Sequence, residues 1–449
     1  MITLRPYQRQ ASDAIRMAMR QHRSVLYQAP TGSGKTALVA HIFHGLHMRG
    51  LGAWMLVHRR ELVEQTSSAL ADAGVPHGII CPGYAEQSLR PIKIAMIQTL
   101  ARRKNLTPPW LAVVDEAHHS VSATYQRVLS EIPSSHVLGV TATPERLDGQ
   151  GLGDIYQHMI LGPTVPELTA QGYLSPFRIW APPGVSVSGV RTQGGDYVRA
   201  ELARAADRAP ITGDAIAHYR RLCSGKRAVA FCANVLHSQH VTEQFNAAGI
   251  PALHIDATTP DAERRKGMED FRAGKILVMV NVDLFGEGVD VPAIEAAIFL
   301  RPTQSRALYL QQAGRALRMF PGKREAIILD HAGNVERHGF PDAAYPWTLN
   351  GRPRKAKVDE EPAIKIRVCP VCFAAVRVSA SVCPLGHVFA VKTVIPEISK
   401  GQLEELKREK IKSRRREESE CRTLDDWYDL ATERGNSPAW ARIRYSLRN

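Results

Sequence analysis

The sequence predicts an α/β protein with two tandem parallel-sheet domains, followed by a small cysteine and histidine module and a helical C-terminal tail. Short apolar, β-branched runs alternate with helical stretches, and strands that are apolar throughout are typical of a parallel sheet covered on both faces. This alternation pauses once and then restarts with the same rhythm. A length of 449 residues accommodates two such cores and a smaller unit.

The strand pattern divides the chain into units. The apolar runs begin at Val25, Ala53, Ile94, Leu111 and Val137 in the first domain and at Ala228, Ala252, Ile276, Ala296 and Ala326 in the second. A stretch richer in Gly and Pro lies between them and indicates a connection. The predicted units are a first domain at 1–165, a connecting segment at 166–207, a second domain at 208–342, a linker at 343–362, the cysteine module at 363–392 and a basic helical tail at 393–449.

The composition favours some partners over others. A net charge of +14 and a pI near 9.6 favour a polyanionic partner, most simply nucleic acid, with solubility alone as the alternative. No apolar run approaches the roughly 20 residues that cross a bilayer, and the start of the chain lacks the apolar stretch of a secretory signal. We therefore expect a cytoplasmic protein with no membrane partner. Scattered cysteines fit the same reducing compartment: Cys81, Cys223, Cys232 and Cys421.

The segment from Ala29 to Thr36, APTGSGKT, follows a predicted strand and precedes a helical run. Its glycines allow the backbone N–H groups to face a phosphate at the start of a helix. Lys35 would reach the β and γ phosphates of ATP, and Thr36 would hold Mg²⁺. The usual pattern has glycine at its first position, where this chain has Ala29. The residues expected to bind ATP here are Thr31, Gly32, Ser33, Gly34, Lys35 and Thr36.

A second apolar strand ends in two adjacent acids, Asp115 and Glu116. The end of a parallel strand lies at the sheet edge where the phosphate loop is expected, so Asp115 could bind Mg²⁺. Glu116 is then suited to orient or deprotonate the attacking water. The alternative is a zinc site formed by these acids with His118 and His119, although adjacent histidines rarely reach one metal together.

Further motifs follow the order that they have in one family. They are Leu4-Arg-Pro-Tyr-Gln8, Val57-His-Arg-Arg-Glu-Leu62, Ile97-Gln-Thr-Leu100, Asp115-Glu-Ala-His118, Thr141-Ala-Thr-Pro144, Gly286-Glu-Gly-Val-Asp290 and Gln311-Gln-Ala-Gly-Arg-Ala-Leu-Arg318. Together they resemble the superfamily II helicases and translocases of the DEAD/DEAH type, over about residues 1 to 345. The resemblance implies two RecA-like domains and ATP hydrolysis stimulated by nucleic acid.

The resemblance also implies roles for single residues. Gln8, together with Arg5, is expected to recognise the adenine base, and Gly288 and Asp290 to approach the ribose and phosphates. The residues expected to couple hydrolysis to strand handling are His118, Thr141, Thr143 and Gln311.

Within the superfamily the sequence is most similar to RadD-like and phage DNA helicases. This likeness rests on the first motif, on Arg301-Pro-Thr-Gln-Ser305, on Gly322-Lys323 and on Ile328-Leu-Asp-His-Ala-Gly-Asn334, followed by a cysteine module. It implies DNA as partner, in repair, recombination or replication. Three alternatives stay open: an RNA helicase, the motor subunit of a restriction system, and a DNA-binding protein that has lost catalysis on an inherited ATPase fold.

Arg315 and Arg318 complete the predicted catalytic set of Lys35, Asp115 and Glu116. A phosphoryl-transfer site without a local arginine lacks a group to neutralise charge on the transferring phosphate. Both arginines lie in the second domain, so we expect them to reach the site only when the domains close. The alternative is that they lie on a solvated helix face.

The cysteine module carries the spacing C-x₂-C, ten residues, then C-x₃-H. Its expected ligands are Cys369, Cys372, Cys383 and His387, of which His387 deviates most from the usual pattern. Four such ligands close the coordination shell of Zn²⁺, which indicates a structural site. The alternatives are a three-coordinate, labile site without His387, and a module that binds no metal. Basic neighbours make the module a candidate for contacting DNA or docking a protein partner: Lys365, Arg367 and Arg377.

The C-terminal tail is expected to form a small helical hairpin and is a second candidate for binding a protein partner. Thr423 and Asp426 resemble a capping box, and Ser437-Pro438 an N-cap followed by the first helical residue.

Overall fold

The structure is a computed structural model. It describes residues 3–85, 89–103, 107–146, 149–182, 190–193, 196–198, 201–202, 209–282, 294–351, 366–389, 417–418, 421–434 and 436–446, with the backbone alone at 209–213 and at Ile443. The chain divides into two compact units, Met1–Phe389 and Ala390–Asn449. Every helix among the described residues is too short or too polar to span a membrane.

The larger unit begins with a lobe built on a seven-stranded sheet, here called the first lobe. Its strands are β1 (Ser24–Gln28), β2 (Ala53–Val57), β3 (Gly78–Ile80), β4 (Ile92–Met96), β5 (Leu111–Asp115), β6 (His136–Thr141) and β7 (His158–Leu161). They lie in the order β3-β4-β2-β5-β6-β1-β7, and every neighbouring pair is parallel. The parallel sheet predicted from the apolar runs is thus confirmed.

Helices cover both faces of this sheet. They are α1 (Pro6–Ala18), α2 (Lys35–His47), α3 (Arg60–Asp72), α4 (Ile97–Leu100) and α5 (Ala123–Glu131), with a 3₁₀ turn at Ala117–Val121. Side chains of β1 alternate between two apolar clusters, because successive residues of a strand point to opposite faces. Val25 and Tyr27 pack with α1 to α3, and Leu26 packs with α4 and α5.

The second lobe contains an eight-stranded sheet. Its strands are β8 (Phe177–Trp180), β11 (Ala228–Phe231), β12 (Ala252–Ile255), β13 (Val278–Asn281), β14 (Ala296–Phe299), β15 (Ala326–Asp330), β16 (Ile366–Val368) and β17 (Ala374–Arg377), while β9 (Thr192–Gln193) and β10 (Asp196–Tyr197) form a separate hairpin. The order is β12-β13-β11-β14-β15-β8-β17-β16. The strands from β12 to β8 are parallel, and β17 and β16 add to the sheet in antiparallel fashion.

The helices of the second lobe surround this sheet. They are α6 (Val165–Ala170), α7 (Ala209–Leu222), α8 (Val235–Ala247), α9 (Asp261–Arg272), α10 (Arg306–Ala316) and α11 (Asn334–His338).

The segment 166–207, expected only to connect the domains, differs from that expectation. It supplies β8, which lies inside the second sheet between β15 and β17. The strand is short and is flanked by prolines at 176, 182 and 183, which is why its composition indicated a connection. The cysteine module differs in the same way, because β16 and β17 belong to that sheet instead of to a separate appendage.

The segment 339–351 crosses from the second lobe back to the first and is here called the strap. The Tyr345 hydroxyl lies 3.2 Å from the carbonyl oxygen of His338 at the end of α11 and 3.1 Å from that of Phe340 within the strap, and the Phe340 side chain packs on the apolar core of the second lobe. At the other end, the Gly153 N–H donates to the Leu349 carbonyl oxygen at 2.9 Å in the first lobe. The part of the predicted linker that the structure describes is therefore attached at both ends.

The smaller unit contains α12 (Leu424–Glu433) and α13 (Pro438–Ser446). Thr423 and Asp426 form the predicted capping box at the start of α12. The rings of Trp427 and Trp440 pack edge to face, with centroids 5.9 Å apart. The predicted helical hairpin is thus present in this unit.

Candidate active site

The phosphate loop lies between β1 and α2. Gly32 and Gly34 have φ angles of 87° and 79°, a left-handed backbone that glycine adopts without strain. Gly34 directly precedes α2, so the N–H groups of the first helical turn face the loop. The Lys35 ammonium donates to the carbonyl oxygens of Ala29 at 2.9 Å and Pro30 at 3.2 Å. The loop therefore has the predicted backbone, with its lysine bound to the loop's own carbonyls.

Two hydroxyl residues lie in the second half of the loop. Ser33 Oγ is buried and has no hydrogen-bond partner within the described part of the chain. Thr36 is the second residue of α2 and is partly exposed. A buried hydroxyl without a partner beside a helix N-terminus fits an anion with acceptor oxygens, such as the phosphates of ATP.

The N-terminal motif packs directly on the loop. Gln8 Nε2 donates to the Ser33 carbonyl oxygen at 3.1 Å, and the Tyr7 hydroxyl donates to the same oxygen at 2.7 Å. The Arg5 guanidinium lies 4.5 Å from the centre of the Tyr173 ring, which also contacts Tyr7. Sequence reasoning gave Tyr7 no role, although it lies within the first motif, and missed Tyr173, because a single tyrosine in a connecting segment carries no recognisable signal.

β5 ends in Asp115, the first of the two predicted acids, and Glu116 follows it directly. The Glu116 N–H donates to Asp115 Oδ1 at 3.0 Å, and Glu116 has a left-handed φ of 47°. Burial, followed by repulsion from the Glu116 carboxylate, raises the pKa of Asp115 to about 6. Burial lowers the pKa of Lys35, and both carboxylates oppose that shift. A divalent cation with oxygen ligands would relieve the repulsion between the two carboxylates, so the acids fit Mg²⁺.

The four predicted coupling residues connect Glu116 to both lobes. His118 Nδ1 lies 3.6 Å from Glu116 Oε2 and 3.4 Å from Thr141 Oγ1. The Thr141 hydroxyl donates to the Thr143 carbonyl oxygen at 2.9 Å. From the second lobe, Gln311 Nε2 donates to Glu116 Oε2 at 3.4 Å. The structure therefore brings these residues together around one carboxylate.

Helix α10 of the second lobe lies against the phosphate loop. A Cβ atom at Gly314 would lie 2.5 Å from Thr31 Cβ, so only glycine allows this approach. A Cβ atom at Gly32 would lie 3.3 Å from Arg318 Cγ. The guanidinium groups of Arg318 and Arg315 both act to lower the pKa of Lys35, which places their charge near the loop. The need for glycine at 314 was not predicted, because the motif indicates which arginines act on phosphate but does not indicate which residue packs against the loop.

The described residues do not test the predicted roles of Gly288 and Asp290, and they do not support the alternative of a zinc site at the adjacent histidines. Gly288 and Asp290 lie outside the described residues. Among the residues that are described, the one group placed to share a metal ion is the cysteine cluster, so a zinc site at His118 and His119 gains no support.

The cysteine cluster is compact. The ligand atoms of Cys369, Cys372, Cys383 and His387 all lie within 4.8 Å of one another. Cys372 and Cys383 Sγ are 3.6 Å apart, and Cys383 Sγ lies 3.2 Å from His387 Nδ1. Tetrahedral zinc with Zn–S bonds of about 2.3 Å needs ligand atoms roughly 3.8 Å apart, so the cluster fits this ion.

Comparison with known proteins places the chain in a family. Residues 1–146 match the family described as "Type III restriction enzyme, res subunit", and residues 214–320 match the "Helicase conserved C-terminal domain". A 51.5 kDa protein of a Lactococcus phage is 34% identical over 393 residues, 86% of this chain and 83% of the phage protein. The chain belongs to the superfamily II helicases.

More distant helicases match over a similar range. IRC3 of Saccharomyces cerevisiae, assigned as an ATP-dependent helicase, is 27% identical over 354 residues, 74% of this chain and 51% of IRC3. The solved structure of the ATP-dependent Type ISP restriction-modification enzyme LlaBIII bound to DNA covers 73% of this chain and 27% of LlaBIII, with a TM-score of 0.55 and 19% identity. The similarity to LlaBIII shows that the two proteins share a fold. As a superfamily II helicase, this chain is an ATP-hydrolysing enzyme of the helicase type.

Proposed function

We propose that this helicase couples the hydrolysis of Mg-ATP to movement on DNA, or to its remodelling. The observation that carries the proposal is the hydrogen bond from Gln311 of α10, in the second lobe, to Glu116, at the end of β5 in the first lobe. A site made from both lobes changes whenever they separate or close, so hydrolysis and lobe movement are linked.

The proposed roles follow from charge and position. Lys35 would bind the phosphates, and Thr36 and Asp115 would hold the magnesium ion. Mg-ATP would supply the transferable phosphoryl group and the metal charge that offsets the carboxylates. Glu116 would orient the attacking water, and Arg315 and Arg318 would stabilise charge on the transferring phosphate.

DNA is the proposed polyanion. The net charge of +14 supports a nucleic-acid partner, and the LlaBIII structure, similar in fold, contains DNA. Repair, recombination or replication would be the corresponding setting. ATP turnover measured side by side with matched DNA and RNA oligonucleotides tests this choice, and stronger stimulation by RNA would reverse it.

The Lys35→Ala variant tests the hydrolysis site. Loss of the ammonium should reduce DNA-stimulated turnover by about a hundredfold or more, because it contacts the charge that develops during transfer. Lys275→Ala, a substitution on an exposed ion pair of the second lobe, is the matched control and should keep turnover near that of the unmodified protein. Turnover by Lys35→Ala within a fewfold of the control would refute the site assignment.

A second candidate is the motor of a restriction system. It is favoured by the match of residues 1–146 to a restriction-enzyme family. Magnesium-dependent cleavage of plasmid DNA by the purified chain, alone and with added restriction subunits, separates this function from a helicase that leaves DNA intact.

We also propose that the cysteine cluster binds structural zinc and supports DNA engagement. We expect about one zinc ion per chain by elemental analysis. The Cys369→Ser variant should lose the metal and bind DNA more weakly, whereas Cys421→Ser, outside the cluster, should retain both. Unchanged DNA binding after complete metal loss would exclude a role for the module in DNA engagement.

A further inference from the structure

Lys323 lies just beyond α10, and its ammonium is enclosed by backbone. The side chain is buried, with the residue 6% exposed. Its Nζ donates to the carbonyl oxygen of Ile294 at 2.8 Å, to that of Arg318 at 2.9 Å and to that of Ala316. An ammonium has three N–H donors, so all of them are used inside the protein.

The Ala316 carbonyl is at the end of α10, and the Arg318 carbonyl lies two residues beyond that helix. The last carbonyls of a helix lack intrahelical partners and carry partial negative charge, which a cation stabilises. The turn that returns Lys323 to this position includes Gly322, whose φ of 87° favours glycine. The third carbonyl, from Ile294, precedes β14, so Lys323 ties the helix end to the central sheet.

The carbonyl of Leu317, between those of Ala316 and Arg318, is held by a different residue. The Leu317 oxygen accepts hydrogen bonds from the Ser175 N–H at 2.8 Å and from the Ser175 hydroxyl at 3.2 Å. Three successive carbonyls at 316, 317 and 318 are therefore held by two side chains and one backbone group. The backbone at 316–318 follows Arg315 directly and contains Arg318 itself.

We propose that Lys323 is a positioning residue for Arg315 and Arg318. It contacts neither nucleotide nor water in this role, and acts by fixing the backbone from which both guanidinium groups extend. The inference rests on the proposed function, in which the two arginines stabilise charge on the transferring phosphate.

The surroundings of Lys323 make the charge of its side chain depend on pH. Burial lowers its pKa to about 7, the Glu295 carboxylate opposes the shift and the Lys226 ammonium adds to it. The Phe320 ring centre lies 5.4 Å from Nζ, and the Arg227 guanidinium lies 5.5 Å from the same ring centre. The ammonium is thus most populated below neutral pH, and a guanidinium at this position would stay charged at every pH used.

The first experiment compares Lys323→Met and Lys323→Arg with the unmodified full chain. Misplacement of the arginines should lower kcat for DNA-stimulated turnover about ten- to a hundredfold in Lys323→Met. KM for ATP should change less than about threefold, because the arginines act on the transition state. Lys266→Met, at an exposed residue of α9 that pairs with Asp270, is the control and should leave kcat unchanged. Unaltered kcat in a folded Lys323→Met variant would overturn the inference.

The pH profile separates positioning from general stability. Turnover of the unmodified protein should fall as pH rises from about 6.5 to 8.5, while Lys323→Arg should show a flatter profile. The comparison of the unmodified protein with Lys323→Arg remains a valid test even if circular dichroism shows that Lys323→Met does not fold. Identical profiles for the two proteins would contradict the inference.

A double-mutant cycle separates this inference from the proposed function. In an Arg318→Ala background, Lys323→Met should lower kcat by a smaller factor than it does in the unmodified protein, because one of the two arginines that it positions is already absent. Independent, multiplicative losses would show that Lys323 does not act through Arg318. Full turnover by both Arg315→Ala and Arg318→Ala would instead refute the proposed function itself.

Discussion

At the scale of single residues, the site depends on one carboxylate in an unusual backbone position. Glu116 adopts a left-handed φ of 47°, which costs a non-glycine residue about 1 kcal/mol or more. The conformation turns the chain sharply at the end of β5, so that the carboxylate meets His118 from its own lobe and Gln311 from the other. Side chains of both lobes therefore bear on the orientation of the proposed water-activating group.

The Glu116→Gln variant should bind nucleotide but hydrolyse it slowly. The amide keeps the size of the side chain and removes its ability to accept a proton, so we expect turnover to fall about 10²- to 10⁴-fold. Binding of a fluorescent ATP analogue should stay within about threefold, because the amide makes the same steric fit. Glu64→Gln, at an exposed surface residue, is the control. A parallel loss of binding and turnover would indicate a structural role for Glu116.

His331, directly after β15, should make the protein less stable in acid. Burial, with a contribution from His218, lowers the pKa of His331 from 6.5 to about 3. Between these values the unfolded chain binds a proton that the folded chain does not, so stability falls as pH decreases below 6.5. Relative to His331→Asn, the unmodified protein should lose about 2 kcal/mol of unfolding free energy between roughly pH 7 and pH 5.

The comparison with His331→Asn is needed because the adjacent Asp330 has the opposite dependence. Burial raises the pKa of Asp330 to about 6, so acidification into that range favours the folded state. Denaturant unfolding of both proteins at several pH values gives the difference directly. A difference that does not vary with pH would show that His331 is protonated to the same extent in the folded and unfolded chains.

At the scale of elements, the strands of the two alternating α/β runs were predictable, and the three strands that later segments add to the second sheet were not. Central parallel strands are apolar on both faces, so Val25 and Ala228 mark them clearly. β8, β16 and β17 are short and lie between prolines or cysteines, and nothing local indicates which sheet they join. The phosphate loop and acids were recognisable for their chemistry, whereas Tyr173 and Gly314 act through contacts that only the folded chain creates.

The Gly314→Ala variant should weaken coupling between the lobes. A methyl group 2.5 Å from Thr31 Cβ forces α10 away from the phosphate loop, and small displacements of catalytic groups can reduce rates about a hundredfold. We expect DNA-stimulated turnover to fall at least tenfold, by the same argument. Gly45→Ala is the matched control, since it lies within α2 and has no atom within 4 Å of the added Cβ. Equal turnover by the two variants would mean that the close approach is dispensable.

At the scale of the molecule, the two lobes are joined twice. The chain passes from the first lobe to the second after β7. The strap then crosses from the second lobe back to the first, next to this connection. A cavity of about 160 Å³ lies under it, lined by Tyr345 and Trp347 of the strap, Leu161 of the first lobe and Leu310 of the second. Where the strap ends on the first lobe, Gly151 lies so close to Leu349 that an added Cβ at Gly151 would be 1.9 Å from the Leu349 carbonyl oxygen.

The Gly151→Ala variant should detach the strap and widen the range of distances between the lobes. Labels on cysteines introduced at Met48 and Leu236 would report this by single-molecule fluorescence, since both positions are exposed and the native cysteines are buried. Gly153→Ala should have a smaller effect, because its Cβ would lie 3.3 Å from the same oxygen. An unchanged distance distribution in Gly151→Ala would show that the strap does not restrain the lobes.

The position of β17 has a practical consequence for shortening the protein. A chain cut after the last helicase motif would lose the strand that pairs with β8 at Ile179 and Trp180. The freed edge would present unpaired backbone and apolar side chains, a combination that promotes aggregation through strand addition. A soluble minimal motor should therefore extend to Phe389, where the larger compact unit ends. Poor solubility of shorter versions would then reflect a missing strand, and would say nothing about whether the cysteines are needed for catalysis.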